Sequence, residues 1–264
     1  MMPPRWLKAL GHVDRCREVI RCAVRFRNWI GVCRRYLGLG GRFPFRVRTR
    51  CGLSFELRDI HDLTTAWVIF CRSEYRVPVD VRTILDLGAN IGLFALYAVR
   101  VAPAANVVAV EPFPATYERL VENVKTNGMV DRVTCLRVAA GATPGLRKME
   151  EAGPSQSRGL AAISIEGGVT VEAITITDLI ARATAAIGGP IDFLKIDIEG
   201  AEHECFGTIP LGGLGSVRTI GMEYHPNGDK DTLFAMIVQH GFRCASDRQF
   251  GPHVGVAHFD RTDA

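Results

Sequence analysis

The 264-residue chain contains no C-x-x-C pair, no run of 18 uncharged apolar residues, no G-x-G-x-x-G and no G-K-[ST]. Each absence narrows the field. Without a long apolar run, no transmembrane helix is expected. The opening stretch "MMPPRWLKALGHVDRCREVI" has neither an uninterrupted apolar segment nor a small-residue cleavage site, so no secretory leader is expected. Eight cysteines stand scattered at 16, 22, 33, 51, 71, 135, 205 and 244. That spacing suits neither a zinc cluster nor a disulfide framework, and reduced thiols in a cytoplasm fit it best. The two missing glycine motifs argue against a dinucleotide pyrophosphate and against P-loop chemistry. No internal repeat is found.

The charge is unevenly placed. The net charge is +4, yet residues 1–50 hold thirteen Lys/Arg against two acids, while the remainder holds nineteen against twenty-six. A basic arm (residues 1–50) followed by an acidic body (residues 51–264) is therefore expected, the arm seeking an anionic partner. Between residues 13 and 37, Val13, Cys16, Ile20, Val24, Ile30, Cys33 and Leu37 recur at helical spacing with arginines opposite, which predicts one amphipathic helix. It could lie on an anionic membrane surface, placing the protein at the inner membrane face. It could equally pack on the chain's own body or in a dimer, or, least favourably, meet nucleic acid.

Beyond it, "FRVRTRCGLSFELRD" predicts a hairpin turning near Cys51-Gly52, and "HDLTTAWVIFCRSEY" a helix. From Arg82 onward, near-continuous apolar strands alternate with helices. "TILDLG", "NVVAVEP", "RVTCLRVAAG", "IDFLKIDIEG" and "VRTIGMEYHP" are the strands, and "RCASDRQF…VGVAHFD" a closing hairpin. That pattern is α/β: a doubly wound, mostly parallel sheet covered on both faces. A Gly/Pro/Ser-rich interval, residues 143–168, interrupts it with loop and short antiparallel strands.

In such sheets ligands sit beyond the carboxyl ends of the strands. The loop Gly88-Ala89-Asn90-Ile91-Gly92 lies there, and nineteen residues past Gly92 stands Glu111, placed to accept both hydroxyls of a ribose. Asn90 occupies the place of a middle glycine, so close approach to a pyrophosphate is not served. A sulfonium nucleoside needs no such approach and has an amino-acid tail for Asp86 and the loop amides. S-adenosyl-L-methionine fits best.

"TILDLGANIGLFALYA", "VVAVEPFPATYERLVENV" and "IDFLKIDIEGAEHECF" resemble the signature segments of the FkbM family of methyltransferases, with similarity running from about Phe55 to Phe259. The resemblance implies a class I methyltransferase fold with a seven-stranded sheet and one reversed strand. It also implies O-methylation of a hydroxyl on a sugar, glycolipid or polyketide-type product. By position, Asp86, Gly88, Asn90 and Gly92 match the first motif, Glu111 the ribose acid, and Ala139 the adenine site. Residues 1–50 inherit nothing from it.

Methyl transfer to oxygen needs alignment and a route for the hydroxyl proton. Lys195, Asp197 and Glu199 alternate onto one strand face; Lys195 lies deeper and needs an anionic partner. Asp197 is expected to meet cofactor or acceptor, with Glu199 or Glu202 shaping the pocket. Glu223 and His225 in "MEYHP" share a face, and His225 is the better proton acceptor near neutrality. A histidine before a proline can also simply anchor a loop. Asp197, Glu223 and His225 could ligate a divalent metal, although their spacing does not demand one. His61, His203, His240, His253 and His258 read as surface or packing residues. Two other functions stay open: an RNA methyltransferase using the arm, and a non-catalytic cofactor binder. The place of an Asn/Asp-Pro-Pro-aromatic motif is taken by Asp-Ile-Glu-Gly, which disfavours amine methylation. Acceptor identity and oligomeric state are not written in the sequence.

Overall fold

A computed structural model describes residues 13–149, 160–161, 168–251 and 253–262. The central sheet runs β12-β13-β11-β10-β3-β4-β5. Its strands are β3 (Thr83–Leu87), β4 (Asn106–Val110), β5 (Val133–Leu136), β10 (Ile191–Ile196), β11 (Val217–Tyr224), β12 (Phe242–Gly251) and β13 (Val254–Arg261). β10, β11, β3, β4 and β5 pair in parallel, while β13 is antiparallel to both β11 and β12. β13 is thus the one reversed strand, and the doubly wound α/β sheet expected from the alternation is present.

Alternation along β3 explains the layering. Ile84 joins a core on one face with α4 (Leu93–Val101) and α5 (Pro114–Thr126). Leu85 and Leu87 join a core on the other face with α6 (Ile176–Ile187), α7 (Glu202–Phe206) and α8 (Lys230–Gln239). Strands buried on both sides are apolar nearly throughout, as read from the sequence. "RVTCLRVAAG" is not one strand, however. The chain leaves the sheet edge after Leu136, and β6 (Ala139–Ala140) pairs with β9 (Val169–Ile174) in a second sheet, β6-β9-β7-β8, that includes β7 (Gly145–Met149) and β8 (Leu160–Ala161). Most of the interval 150–167 lies outside the described residues.

The expected single helix over residues 13–37 is two: α1 (Val13–Arg25) and α2 (Trp29–Tyr36). The break has a local cause. Phe26 bridges Thr49, Arg27 N–H donates to Arg48 O, and the Asn28 side chain bonds both Arg46 O and Arg48 N. These bonds tie residues 26–28 to β1 (Phe45–Arg48), which pairs with β2 (Ser54–Leu57) in the predicted hairpin. Cys22, Phe26, Val32 and Cys33 share one core with Phe55, Trp67 and Phe70. Tyr36 stacks on Trp67 at 3.8 Å, and Trp67 Nε1 donates to Glu18. The position between residues 50 and 51, read as a domain boundary, falls at the hairpin turn. Ile20, Val24 and Ile30 remain exposed, at 62, 62 and 58 %. After α3 (Ile60–Trp67) a π-helical turn, Val68–Arg72, ends at Ser73 with φ 54°. No described helix is long and apolar enough to cross a membrane.

Candidate active site

Where β3 ends, its loop folds back on β4: Gly88 N–H and Ala89 N–H both donate to Val110 O. Gly88 has φ +76°, and a Cβ there would lie 1.7 Å from the Asp197 carbonyl oxygen. Gly92, at φ +82°, caps α4, and its missing side chain makes room for Leu120. Asn90 also adopts a left-handed φ of 51° and holds it with its own Oδ1, which accepts from Ile91 N–H. We expect Gly88→Ala to cost about 2–4 kcal/mol in chemical denaturation, from left-handed strain plus the forced retreat of Asp197. A cost within error of zero would mean that the two loops are not packed as described.

Glu111 closes the next strand. Asn90 N–H donates to its Oε2 at 2.9 Å and Phe113 N–H to its Oε1 at 3.0 Å, so the carboxylate is aimed by main chain. Burial pushes it up to about 7, opposed by those two amides; further hydroxyl donors would draw it back down. Gly88, Asn90, Glu111, Phe113, Ala139 and Met149 line one cleft. This is the shape a nucleoside requires: a glycine floor, a carboxylate for vicinal hydroxyls, and an apolar wall for a base. The residues present fit the expected cofactor.

Asp86 is placed differently from the expectation. Its side chain is 0 % exposed and turned to Lys195 Nζ at 3.1 Å, so it does not line the cleft. Burial raises its pKa and Lys195 opposes that rise. Lys195 also donates to Gly88 O at 2.7 Å and lies 3.5 Å from Asp197 Oδ2. The deep lysine therefore has its anionic partner and ties the glycine loop to β10.

A second cavity, of about 260 Å3, adjoins the cleft. Gly88, Asn90, Asp197 and Glu199 line both, so anything bound in the two spaces meets there. Tyr75, Glu223 and His225 face this cavity. The Tyr75 hydroxyl is within reach of Glu223 Oε2 (3.2 Å) and Asp197 Oδ2 (3.4 Å). His225 Nδ1 lies 3.0 Å from Glu202 Oε1, and its Nε2 lies 3.4 Å from Glu199 Oε2. Glu202 is 1 % exposed, so it acts from behind the ring. A proton on Nδ1 would be donated to Glu202, which puts Nε2 on the cavity side beside Glu199 Oε2. Glu202, expected only to shape the pocket, positions the histidine, and Tyr75 carries no sequence signal at all.

The electrostatics follow from crowding. Burial and the Asp197 charge push both Glu199 and Glu223 above the usual carboxylate range, His225 opposing. Burial works against a charged His225, but the Glu202 hydrogen bond and the charges of Glu202, Asp197 and Glu199 outweigh it and raise the ring to about 9. Single ligand atoms of Asp197, Glu199 and His225 lie within 4.8 Å of one another. Among the described residues, those three, with Glu199 in place of the expected Glu223, are the group that could hold a metal.

Residues 86–244 match the model of the Methyltransferase FkbM domain. The chain is 29% identical over 195 residues to methyltransferase sdnD of Sordaria araneosa, covering 62% of this chain and 75% of that one. It is 26% identical to the 31-O-demethyl-FK506 methyltransferase FkbM of Streptomyces tacrolimicus, covering 65% and 75%. Against the hexuronic acid methyltransferase AglP of Haloferax volcanii the identity is 31%, covering 80% and 85%. The matched span runs from the strand that carries Asp86 into β12 and takes in Glu111, Asp197 and His225. A match over more than half of the chain places it: the chain belongs to the FkbM family of methyltransferases.

Proposed function

We propose that this methyltransferase moves a methyl group from S-adenosyl-L-methionine to a hydroxyl of a sugar or polyketide-type acceptor, with His225 as the proton acceptor. The observation that carries the reading is His225, held by Glu202, in the second cavity with its Nε2 beside Glu199, which lines both that cavity and the cofactor cleft. When bound, the sulfonium supplies an already activated methyl group. Gly88, Asn90, Glu111 and Ala139 would hold it, Glu111 taking the ribose hydroxyls. The chain's own task is then to align the acceptor and take its proton. His225 Nε2 is held for that by Glu202, and Asp197 and Tyr75 flank the junction. FkbM of S. tacrolimicus, an O-methyltransferase by its description, and AglP, which acts on a hexuronic acid, support oxygen and a sugar or macrolide acceptor.

The test is a panel of uronic acids, neutral sugars and macrolide alcohols, read by S-adenosylhomocysteine release, with calorimetry for the cofactor. Absence of S-adenosylmethionine binding would end the proposal. The pH profile carries a sign. A base must be neutral, and His225 is raised to about 9 in the free protein, so kcat/KM should climb with pH through that region and level off above it. A cationic donor nearby repels the imidazolium, so the kcat limb should sit lower. Glu202→Gln removes the charge that raises the ring; its limb should move toward acid while the plateau falls.

The convergence of Asp197, Glu199 and His225 within 4.8 Å supports a second reading, in which these three residues would hold a divalent ion that would supply Lewis-acid activation of the acceptor hydroxyl. Turnover lost to EDTA and restored by Mg2+ would favour it over the base.

A further inference from the structure

A third cavity adjoins the second. Arg72 and Glu74 line both, and the third encloses about 570 Å3. Five arginines line it: Arg17, Arg21, Arg72, Arg76 and Arg248. α1 contributes two of them, the chain around the π-helical turn two, and β12 one.

Three carboxylates share the wall, and each is already engaged. Glu18 accepts from Trp67 Nε1 and lies 3.4 Å from Arg72. Glu74 lies 3.6 Å from the same Arg72. Asp247 accepts from Tyr224 Oη and sits 3.1 Å from Lys230 Nζ. Arg72 is consumed by these contacts and by Tyr36. Arg21 donates to the carbonyls of Cys71 and Arg72, which fixes its position without neutralising it. Arg17, Arg76 and Arg248 have no ion pair or hydrogen bond among the described residues, and Arg248 rests over the ring of Phe250 at 5.6 Å. Phe250 itself lines the second cavity.

Arg248 also acts on Glu74, yet five arginines face only three carboxylates, one of them shared with Lys230, so positive charge is left over around this space and favours an anion there. Planar guanidinium forks suit phosphate and carboxylate oxygens, which accept two parallel bonds. Arg76 and Arg248 are both exposed, so solvent and a dissolved anion can reach them.

We propose that this arginine-walled cavity is an anion subsite of the acceptor site, taking a phosphate or carboxylate group of the acceptor while the reacting hydroxyl lies at His225. It rests on the methyl-transfer reading and narrows it: the acceptor is an anionic molecule long enough to reach past Arg72 and Glu74. A sugar bearing a phosphate ester and a uronic acid share that chemistry.

Calorimetry on the full chain, with pyrophosphate and with glucuronate as separate probes, tests the subsite and separates the two sources. The wild type should bind at least one of them, more weakly as salt rises. Arg76→Gln/Arg248→Gln should weaken that anion at least tenfold and leave S-adenosylmethionine affinity within twofold. Tighter pyrophosphate binding assigns a phosphorylated acceptor; tighter glucuronate binding assigns a uronate. Wild-type protein that takes up neither probe, or a double variant that binds as well as wild type, overturns the subsite. If the double variant also loses the cofactor, Arg17→Gln on the solvent side of α1 gives the same anion readout. Failure of the wild type to bind S-adenosylmethionine would strike the methyl-transfer reading alone, because the anion titrations are read independently.

Discussion

His225→Gln should lower turnover by about 10²–10⁴-fold, the usual worth of a positioned proton acceptor, and leave cofactor affinity within about threefold. Gln is the informative substitution because its amide can still donate to Glu202, a carboxylate only 1 % exposed. His225→Ala would strand that charge and mix a folding defect into the kinetics. Single-turnover rates with whichever acceptor the panel yields, beside a cofactor titration of the same protein, separate the two effects. Equal losses in rate and cofactor binding would mean that His225 only anchors its loop. An unchanged rate would remove the histidine from the chemistry altogether. The residual rate of the Gln variant should also lose the climb toward pH 9, because the group that titrates there is gone.

Lys195→Met should destabilise the fold by about 3–5 kcal/mol, the cost of breaking a buried ion pair on one side. Lys195 is 3 % exposed and Asp86 0 %, and they meet at 3.1 Å. Methionine fills nearly the same volume, so what is lost is the charge and the bond to Gly88 O rather than packing. Asp86 must then be buried unpaired or protonated. A group whose folded pKa is raised binds its proton more readily in the folded state, so the variant's deficit should shrink as pH falls toward 5. Asp86→Leu added to Lys195→Met should recover much of the loss. Urea denaturation of the three proteins at pH 5 and pH 8 checks both claims. A deficit under about 1 kcal/mol, or one independent of pH, would show that the pair is not buried as a unit.

Legibility in the sequence followed distance along the chain. The glycine loop, Glu111 and the alternating strands are local patterns, and the fold and the gathering of Gly88, Asn90, Glu111 and Ala139 in one cleft were readable from them. The pairing of Lys195 with a carboxylate was readable too, because a lysine in an apolar layer must be answered by a charge, although the partner turned out to take Asp86 away from the cleft. Tyr75 was invisible. It reaches Asp197 and Glu223 across 122 and 148 residues, and no spacing rule spans a connection of that kind. Glu202 lay in the recognised "IEGAE" segment, but its task depends on the first turn of α7 facing the end of β11, which is a tertiary fact. The split between α1 and α2 failed for a similar reason. Helical periodicity continues through residues 26–28, and only hydrogen bonds to β1, about twenty residues away, override it.

The two basic helices are built into the enzyme more deeply than their charge suggests. Tyr36 lies flat on Trp67, Glu18 holds the indole nitrogen, and Phe26 meets Phe70 at 5.4 Å. Deleting the first forty residues to ask whether they attract a lipid surface would uncover those rings and pull Glu18 from beside Arg72, so the shortened protein would clump for reasons unrelated to lipids. Charge reversal at solvent-facing positions of the helices is the cleaner way to put that question.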